Sequence, residues 1–209
     1  SNPAAASWEW KNLPGHAKRG QRSRLSAMTR VRQPVWRSKL RRTNDNWALR
    51  NWLADRGSLT ARIQKKGQFA VQVLRQGLGQ PTPDEAAALE IQPGQRVWVR
   101  EVALFCDQVV VVFAHTVLPR RPRGPLSIWL ARLGNRSLGA LLFAHAGFVR
   151  GPMHFRRLDR RDLLFPAALR ALDVGGENLQ ALWARRSHFS FGCQTVLVTE
   201  VFSPRITQL

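Results

Sequence analysis

The sequence predicts an α+β fold, a single domain built on a six-stranded antiparallel sheet with helices before and between the strands. Three observations lead to this fold class. Apolar and polar residues alternate with a period of two in several stretches, and most of these stretches form neighbouring pairs joined by short turns. The helical patterns are short and do not alternate regularly with strands, which argues against a doubly wound parallel sheet. The 209 residues, 44% of them apolar, are enough for one domain with a buried core.

Six segments carry the strand pattern. The clearest are two apolar runs separated only by residues 106–108, an arrangement that is typical of a hairpin. A second hairpin is expected about Gly192, near the end of the chain. The predicted strands span residues 69–73, 96–105, 109–118, 148–157, 182–191 and 195–202.

The first two predicted helices begin and end at recognisable signals. Asn44 or Asp45 can cap a helix that ends near Gly57. Ser58 can cap a second helix, which Gly67 would end. Apolar residues at helical spacing follow each cap, so both helices are expected to bury one face.

Three later regions also have helical character. Pro83 can open a short helix in an acidic stretch, and residues 126–133 show a helical pattern that ends before a glycine. The segment 158–180 is compatible with two short helices, one around Leu163 and one around Ala171.

The positive charge of the chain is concentrated at its beginning. Lys and Arg number 33 against 13 Asp and Glu, a formal net charge of +20, and residues 1–45 alone contribute +9. Such a balance favours anionic partners: nucleic acid, a membrane surface or an acidic small molecule. We interpret residues 1–45 as a basic, poorly ordered arm, or one that docks on the domain or on another molecule, and residues 46–209 as the folded domain.

Several classes of protein fit the sequence poorly. Two cysteines, Cys106 and Cys193, form no disulfide framework and indicate a reducing, cytoplasmic environment. No apolar run reaches the roughly 18 residues of a transmembrane helix, and the first residues lack the apolar stretch of a signal peptide. The five histidines show no metal-binding spacing, and no glycine pattern for a nucleotide occurs, so we expect neither a metal nor a cofactor.

Four charged residues interrupt the apolar faces of the predicted strands: Arg75, Arg100, Arg185 and Glu200. Alternate residues of a strand share one face, and each of these four falls in a row of otherwise apolar side chains. A buried charge is costly unless it is paired or meets a ligand. Each could instead mark an exposed strand end, a kink in register or an internal Arg–Glu pair. Together, three arginines and one glutamate on one surface would suit a small dianion, since arginine binds carboxylates with two donors.

A series of short blocks then points to a known family. The blocks, in order, are Trp52-Leu53 with Ser58-Leu59-Thr60, Val73-Leu74-Arg75-Gln76-Gly77, Trp98-Val99-Arg100-Glu101, Thr116-Val117-Leu118-Pro119, Leu138-Gly139 with Leu142-Phe143, Trp183-Ala184-Arg185-Arg186-Ser187, and Leu197-Val198-Thr199-Glu200-Val201-Phe202. In this order they resemble the bacterial chorismate–pyruvate lyases. The resemblance covers residues 46 to 204, most of the chain apart from the arm.

The resemblance implies a fold and a reaction. The fold would be a six-stranded antiparallel sheet with helices covering one side and a ligand enclosed under helical flaps, related to the ligand-sensing domains of certain bacterial transcription regulators. The reaction would be the elimination of pyruvate from chorismate to leave 4-hydroxybenzoate, the first step towards the ubiquinone ring, without a cofactor. A monomer with no specific nucleic-acid partner would be expected.

The resemblance also assigns roles to individual residues. Arg100 would bind the substrate carboxylate, and Glu200 would meet the hydroxyl end, either positioning it or also removing a proton. Leu59 and Leu138 would contact the ligand through backbone N–H groups. The sequence departs from the family at His115, where arginine is common.

Two questions stay open in the sequence. Arg75 or Arg185 is the expected partner of the second, enolpyruvyl carboxylate. A non-catalytic domain of the same fold that senses a small carboxylate is the main alternative function, although such sensors normally follow a DNA-binding domain for which residues 1–45 are too short. A nucleic-acid binder is the third interpretation, supported only by net charge.

Overall fold

The computed structural model describes residues 35–119, 133–144, 147–174 and 179–209. Within them, six strands form one antiparallel sheet in the order β1-β2-β3-β6-β5-β4, which confirms the predicted fold class. All six predicted strands are present, several of them longer than expected. Their bounds are β1 Phe69–Gly79, β2 Val97–Cys106, β3 Val109–Pro119, β4 Val149–Asp159, β5 Ala181–Phe191 and β6 Gln194–Phe202.

The hairpin between β2 and β3 closes through a two-residue turn. Asp107 and Gln108 both have positive φ angles, 47° and 68°, as expected for a turn whose twist matches that of the two strands. The Asp107 side chain also accepts a hydrogen bond of 2.7 Å from the backbone N–H of Gln68, which secures the turn to the start of β1. The predicted hairpin about Gly192, with φ of 56°, is confirmed as well.

Five α-helices and a terminal 3-10 helix lie in the described residues. Ser58 caps α2 by accepting from the backbone N–H of Ala61, as predicted, and Thr82 caps α3 in a reciprocal arrangement with Glu85. None of the described helices is long and apolar enough to cross a membrane. The bounds are α1 Arg50–Ala54, α2 Leu59–Gln64, α3 Pro83–Ala88, α4 Leu138–Ala144, α5 Phe165–Ala171 and the 3-10 helix Pro204–Gln208.

Three predictions about helices differ from the structure. Asn44 and Asp45 do not cap α1, which starts only at Arg50. They lie in a turn, where Asx side chains compete for local backbone groups. Leu163 also lies in a turn, so the described part of 158–180 holds one helix instead of two. The helix predicted at 126–133 lies outside the described residues except for its last position, and α4 was not predicted because its seven residues are too few to show a period.

The two faces of the sheet are covered by different helices. The face that carries Arg100 and Glu200, called the front face, packs against α1, α2 and α4. The opposite face, called the back face, packs against α3 and α5. The structure therefore differs from the expected arrangement in one respect: three helices cover the front face, and two more cover the back face. Helices on both faces leave each strand little solvent-exposed apolar surface, which is consistent with the largely apolar sequences of β2 and β3.

Residues 35–45, part of the predicted arm, contact the domain. Arg37 exchanges two backbone hydrogen bonds, of 3.0 and 2.8 Å, with Phe155 on the free edge of β4. The Trp36 indole donates to Asp84 at 2.7 Å. Edge strands need such cover because their unpaired backbone groups can recruit other chains. The rest of the predicted arm, residues 1–34, lies outside the described residues.

Candidate active site

A pocket on the front face lies beneath α2 and α4. Its wall is mostly apolar, with one cationic and one anionic side chain, Arg100 and Glu200. No group of three or more His, Cys, Asp or Glu side chains suited to a metal ion occurs in the described residues. The pocket contains four of the six predicted site residues and is lined by Leu59, Thr60, Arg100, Val102, Leu104, Ala114, Thr116, Ser137, Leu138, Gly139, Phe143, Phe189, Val198 and Glu200.

Arg100 is a buried cation whose hydrogen-bond acceptors among the described residues are all neutral. Only 2% of the residue is exposed, and burial lowers the pKa of its guanidinium. Nη1 donates to the side-chain oxygen of Gln76, and Nη2 donates to the backbone oxygens of Gly134 at 2.6 Å and Arg136 at 3.1 Å. The buried Nε–H has no hydrogen-bond partner among the described residues. A desolvated charge of this kind is expected to meet an anion in the working protein.

Glu200 is held from behind by Arg185. The guanidinium Nε donates to Glu200 Oε2 at 2.5 Å, and only 1% of the Arg185 side chain is exposed. Its Nη1 donates to backbone oxygens at the end of α1, those of Trp52 at 2.9 Å and Asp55 at 2.6 Å. Arg185 thus forms with Glu200 the internal Arg–Glu pair considered above. It is not among the residues that line the pocket. That it binds a substrate carboxylate stays a prediction, which these contacts disfavour because Nε and Nη1 are already engaged by Glu200 and by the end of α1.

Arg75 also lies away from the pocket. The register of β1 shifts between Val73 and Arg75, so that Arg75 pairs with Glu101 on the back face. The arginine is exposed. A bulge of one residue moves every following side chain to the other face, which is the reason that simple alternation placed Arg75 wrongly. The same shift brings Gln76, which the sequence interpretation did not select, opposite Arg100.

The two helices above the pocket begin at its wall. Leu59 and Leu138 are the first residues of α2 and α4, where backbone N–H groups have no acceptor within the helix. A buried hydrogen bond of 2.6 Å joins the Thr60 and Ser137 hydroxyls and so links the starts of the two helices. Backbone contacts from Leu59 and Leu138 to a ligand stay a prediction, and both residues are placed where that prediction requires.

Arg150, which the sequence interpretation did not select, lies beside the pocket. It faces Phe189 across β4 and β5, and its guanidinium carbon is 5.4 Å from the ring centroids of both Phe143 and Phe189. Nε donates to the Ser187 hydroxyl at 3.0 Å, and Nη1 donates to the Arg56 backbone oxygen at 2.9 Å. A bulge follows Arg150, so the alternation of residues along the rest of β4 does not predict the face on which Arg150 lies.

His115 lies on the back face, away from the pocket. It is 5% exposed and lies between two carboxylates, with Nε2 3.1 Å from Glu85 and Nδ1 3.0 Å from Glu101. Burial disfavours the imidazolium, but the hydrogen bonds and charges of the two carboxylates outweigh it and raise the pKa of His115 to about 9. The histidine therefore supplies a buried cation on the back face, and it ties α3 to the sheet through Glu85.

One solved structure shows the same fold. The fold aligns with the crystal structure of PhnF from Mycobacterium smegmatis with a TM-score of 0.50 and 17% sequence identity. The alignment covers 72% of this chain and 65% of PhnF. At this level of identity the likeness concerns the fold alone.

Comparison of the sequence with known families identifies the chain more closely. The family model for chorismate lyase matches residues 33–208. A protein of Dechloromonas aromatica strain RCB, named probable chorismate pyruvate-lyase, is 48% identical over 181 residues, which cover 86% of this chain and 99% of that protein. A protein of the same name from Aromatoleum aromaticum is 48% identical over 162 residues, 77% of this chain and 87% of that protein. The chain belongs to the chorismate lyase family.

Proposed function

We propose that this protein is a chorismate pyruvate-lyase that converts chorismate into 4-hydroxybenzoate and pyruvate. Family membership supports the substrate, and one structural observation supports the site. Within the described residues, Arg100 is buried in the pocket with only neutral partners and an unused Nε–H, while Glu200 lies two strands away on the same face. Two strand spacings are roughly 10 Å, so the two charges can contact opposite ends of one small ring.

The substrate has a polar group at each end of its ring. A carboxylate stands on C1, and a hydroxyl stands on C4, directly across the ring. Arg100 binds the carboxylate with a charge-assisted hydrogen bond. Glu200 accepts the hydroxyl hydrogen through Oε1, which accepts no hydrogen bond from the described residues. The backbone N–H groups of Leu59 and Leu138 complete the contacts from above.

The reaction requires positioning more than covalent assistance. The bond between C3 and the ether oxygen breaks, the C4 hydrogen leaves as a proton, and the ring becomes aromatic. The departing enolpyruvate takes up a proton and becomes pyruvate, so atoms and electrons balance without an oxidant or a reductant. We therefore propose a cofactor-free reaction, in which the pocket holds a reactive conformer and excludes water.

Arg185 gives Glu200 a defined orientation. Because Arg185 holds Oε2 and is itself fixed to the end of α1, the carboxylate cannot swing freely, and Oε1 keeps one direction. We assign to Glu200 the positioning of the C4 hydroxyl. Removal of the C4 proton by the same carboxylate is the additional role that kinetics of a Gln variant would reveal.

The proposal extends to the pathway that uses the product and to the compartment in which the protein works. 4-Hydroxybenzoate would serve as the precursor of the ubiquinone ring. Cys106 is buried and Cys193 is exposed, and both are free thiols, which supports a reducing compartment such as the cytoplasm.

Incubation of the purified protein with chorismate tests the proposed function. We expect 4-hydroxybenzoate and pyruvate to appear in equal amounts as chorismate disappears. A sensing domain of the same fold would bind a small carboxylate and form no product. Binding of chorismate without turnover would therefore favour the sensor and exclude the lyase.

A further inference from the structure

Chorismate carries a second carboxylate, and the residues discussed so far leave it without a partner. This carboxylate belongs to the enolpyruvyl group on C3, and this inference rests on the proposed function. Arg75 is exposed on the back face, and Arg185 is engaged by Glu200 and α1. Among the described residues, the partner would be another cation that lies beside the pocket and retains unused donors.

Arg150 meets the requirement of position. It faces Phe189 in the pairing of β4 with β5, so both side chains lie on the front face. Its guanidinium lies against Phe189 and Phe143, both of which line the pocket. Burial and the charge of Arg185 lower the pKa of Arg150, while the nearby carboxylates of Glu200 and Asp55 act in the opposite direction. Arg150 therefore lies on the Glu200 side of the pocket.

Arg150 also meets the requirement of unused donors. Its described acceptors, the Ser187 hydroxyl and the Arg56 backbone oxygen, are neutral and occupy Nε and Nη1. No ion pair joins it to a carboxylate, and Nη2 makes no hydrogen bond, within the described residues. A half-buried arginine held by neutral groups is oriented but not neutralised, which is the state in which arginine binds a carboxylate.

The chemistry of the substrate connects these observations. C3, which bears the enolpyruvyl ether, is the neighbour of C4, whose hydroxyl is assigned to Glu200. The enolpyruvyl carboxylate must therefore lie on the Glu200 side, away from Arg100. We propose that Arg150 binds the enolpyruvyl carboxylate of chorismate and keeps this contact as the C3–O bond breaks. The aromatic rings of Phe143 and Phe189 hold the guanidinium in place by cation–π contacts.

This assignment makes Arg150 a residue that distinguishes substrate from product. Chorismate has two carboxylates, and 4-hydroxybenzoate retains only the one on the ring. Arg100 contacts the carboxylate that both molecules share, whereas Arg150 contacts the one that leaves with pyruvate. Loss of Arg150 should therefore weaken the interaction with chorismate and spare the product.

The test compares Arg150→Gln with a matched control, Arg157→Gln. Arg157 lies on the same strand and the same face, is 46% exposed and pairs with Asp45 outside the pocket. For each variant, kcat/KM for chorismate and the dissociation constant of 4-hydroxybenzoate are measured. We expect Arg150→Gln to lower kcat/KM by about 10- to 100-fold, the loss of a hydrogen bond to a charged group, with product affinity within about twofold of wild type. Arg150→Lys should recover part of the loss.

The outcomes separate this inference from the proposed function. If wild-type protein turns chorismate over and Arg150→Gln behaves like Arg157→Gln, the inference is wrong and the lyase assignment stands. If Arg150→Gln loses product affinity as strongly as kcat/KM, Arg150 maintains the pocket and does not select the substrate, which also overturns the inference. If wild-type protein gives no product, the proposed function itself fails.

Discussion

The buried pair of Arg185 and Glu200 allows a prediction whose size follows from the structure. Arg185→Leu removes the cation and leaves the Glu200 carboxylate and two backbone oxygens, those of Trp52 and Asp55, without their donor. Removing one partner of a buried ion pair costs about 3–5 kcal/mol. The Glu200 side chain keeps 15% exposure, so water can reach part of it. We therefore expect a loss near the lower end, about 3 kcal/mol in the free energy of unfolding.

Urea denaturation of three variants tests this expectation. Arg185→Leu, Glu200→Leu and the double variant are compared with wild type by the midpoint and slope of the transition. The double variant carries no uncompensated buried charge and should be more stable than Arg185→Leu alone. A loss below about 1 kcal/mol for Arg185→Leu would show that solvent screens the pair, as at a protein surface, and would refute this account of how Glu200 is held.

Three further predictions concern Arg100, Glu200 and His115. Arg100→Ala should weaken binding of chorismate and of 4-hydroxybenzoate alike, by about 1.5–3 kcal/mol in titration calorimetry; unchanged affinity for both would remove Arg100 from the site. Glu200→Gln should lower kcat modestly if Glu200 only positions the hydroxyl, and by roughly 10²–10⁴ if it takes the C4 proton, which steady-state kinetics will decide. The pKa of His115 is raised from 6.5 to about 9, so its stabilising charge is present below pH 6.5 and is lost as pH rises through 9. The urea midpoint of wild type should fall between pH 6.5 and 9.5, and that of His115→Gln should fall less. Parallel pH curves for the two proteins would contradict the inference that Glu85 and Glu101 stabilise the imidazolium of His115.

The sheet could be predicted from sequence because its strands are long and regular. A period of two repeated over eight or more residues predicts a strand and places Arg100 and Glu200 each in an apolar row of its own strand. The pairing of the strands in the structure then shows that both rows lie on the front face. The resemblance of short blocks to the family then supplied their roles.

The errors arose where a local irregularity interrupts the period. A bulge turns Arg75 to the back face, and another follows Arg150 and conceals that it lies on the front face. The partner of Arg185 could not be chosen from sequence, because an internal pair and a ligand site place the same residue types on the same face. Only the contacts with Glu200 and the end of α1 distinguish them.

The central claim is that the pocket between Arg100 and Glu200 converts chorismate. Its most direct test measures 4-hydroxybenzoate and pyruvate formed from chorismate by wild-type protein and by the double variant Arg100→Ala/Glu200→Gln, with product formation followed to completion. We expect wild type to release one equivalent of each product per chorismate consumed, and the double variant to form product at a rate reduced by at least about 100-fold. Equal rates for the two proteins would place the reaction elsewhere, and binding of chorismate by wild type without product would contradict the lyase assignment.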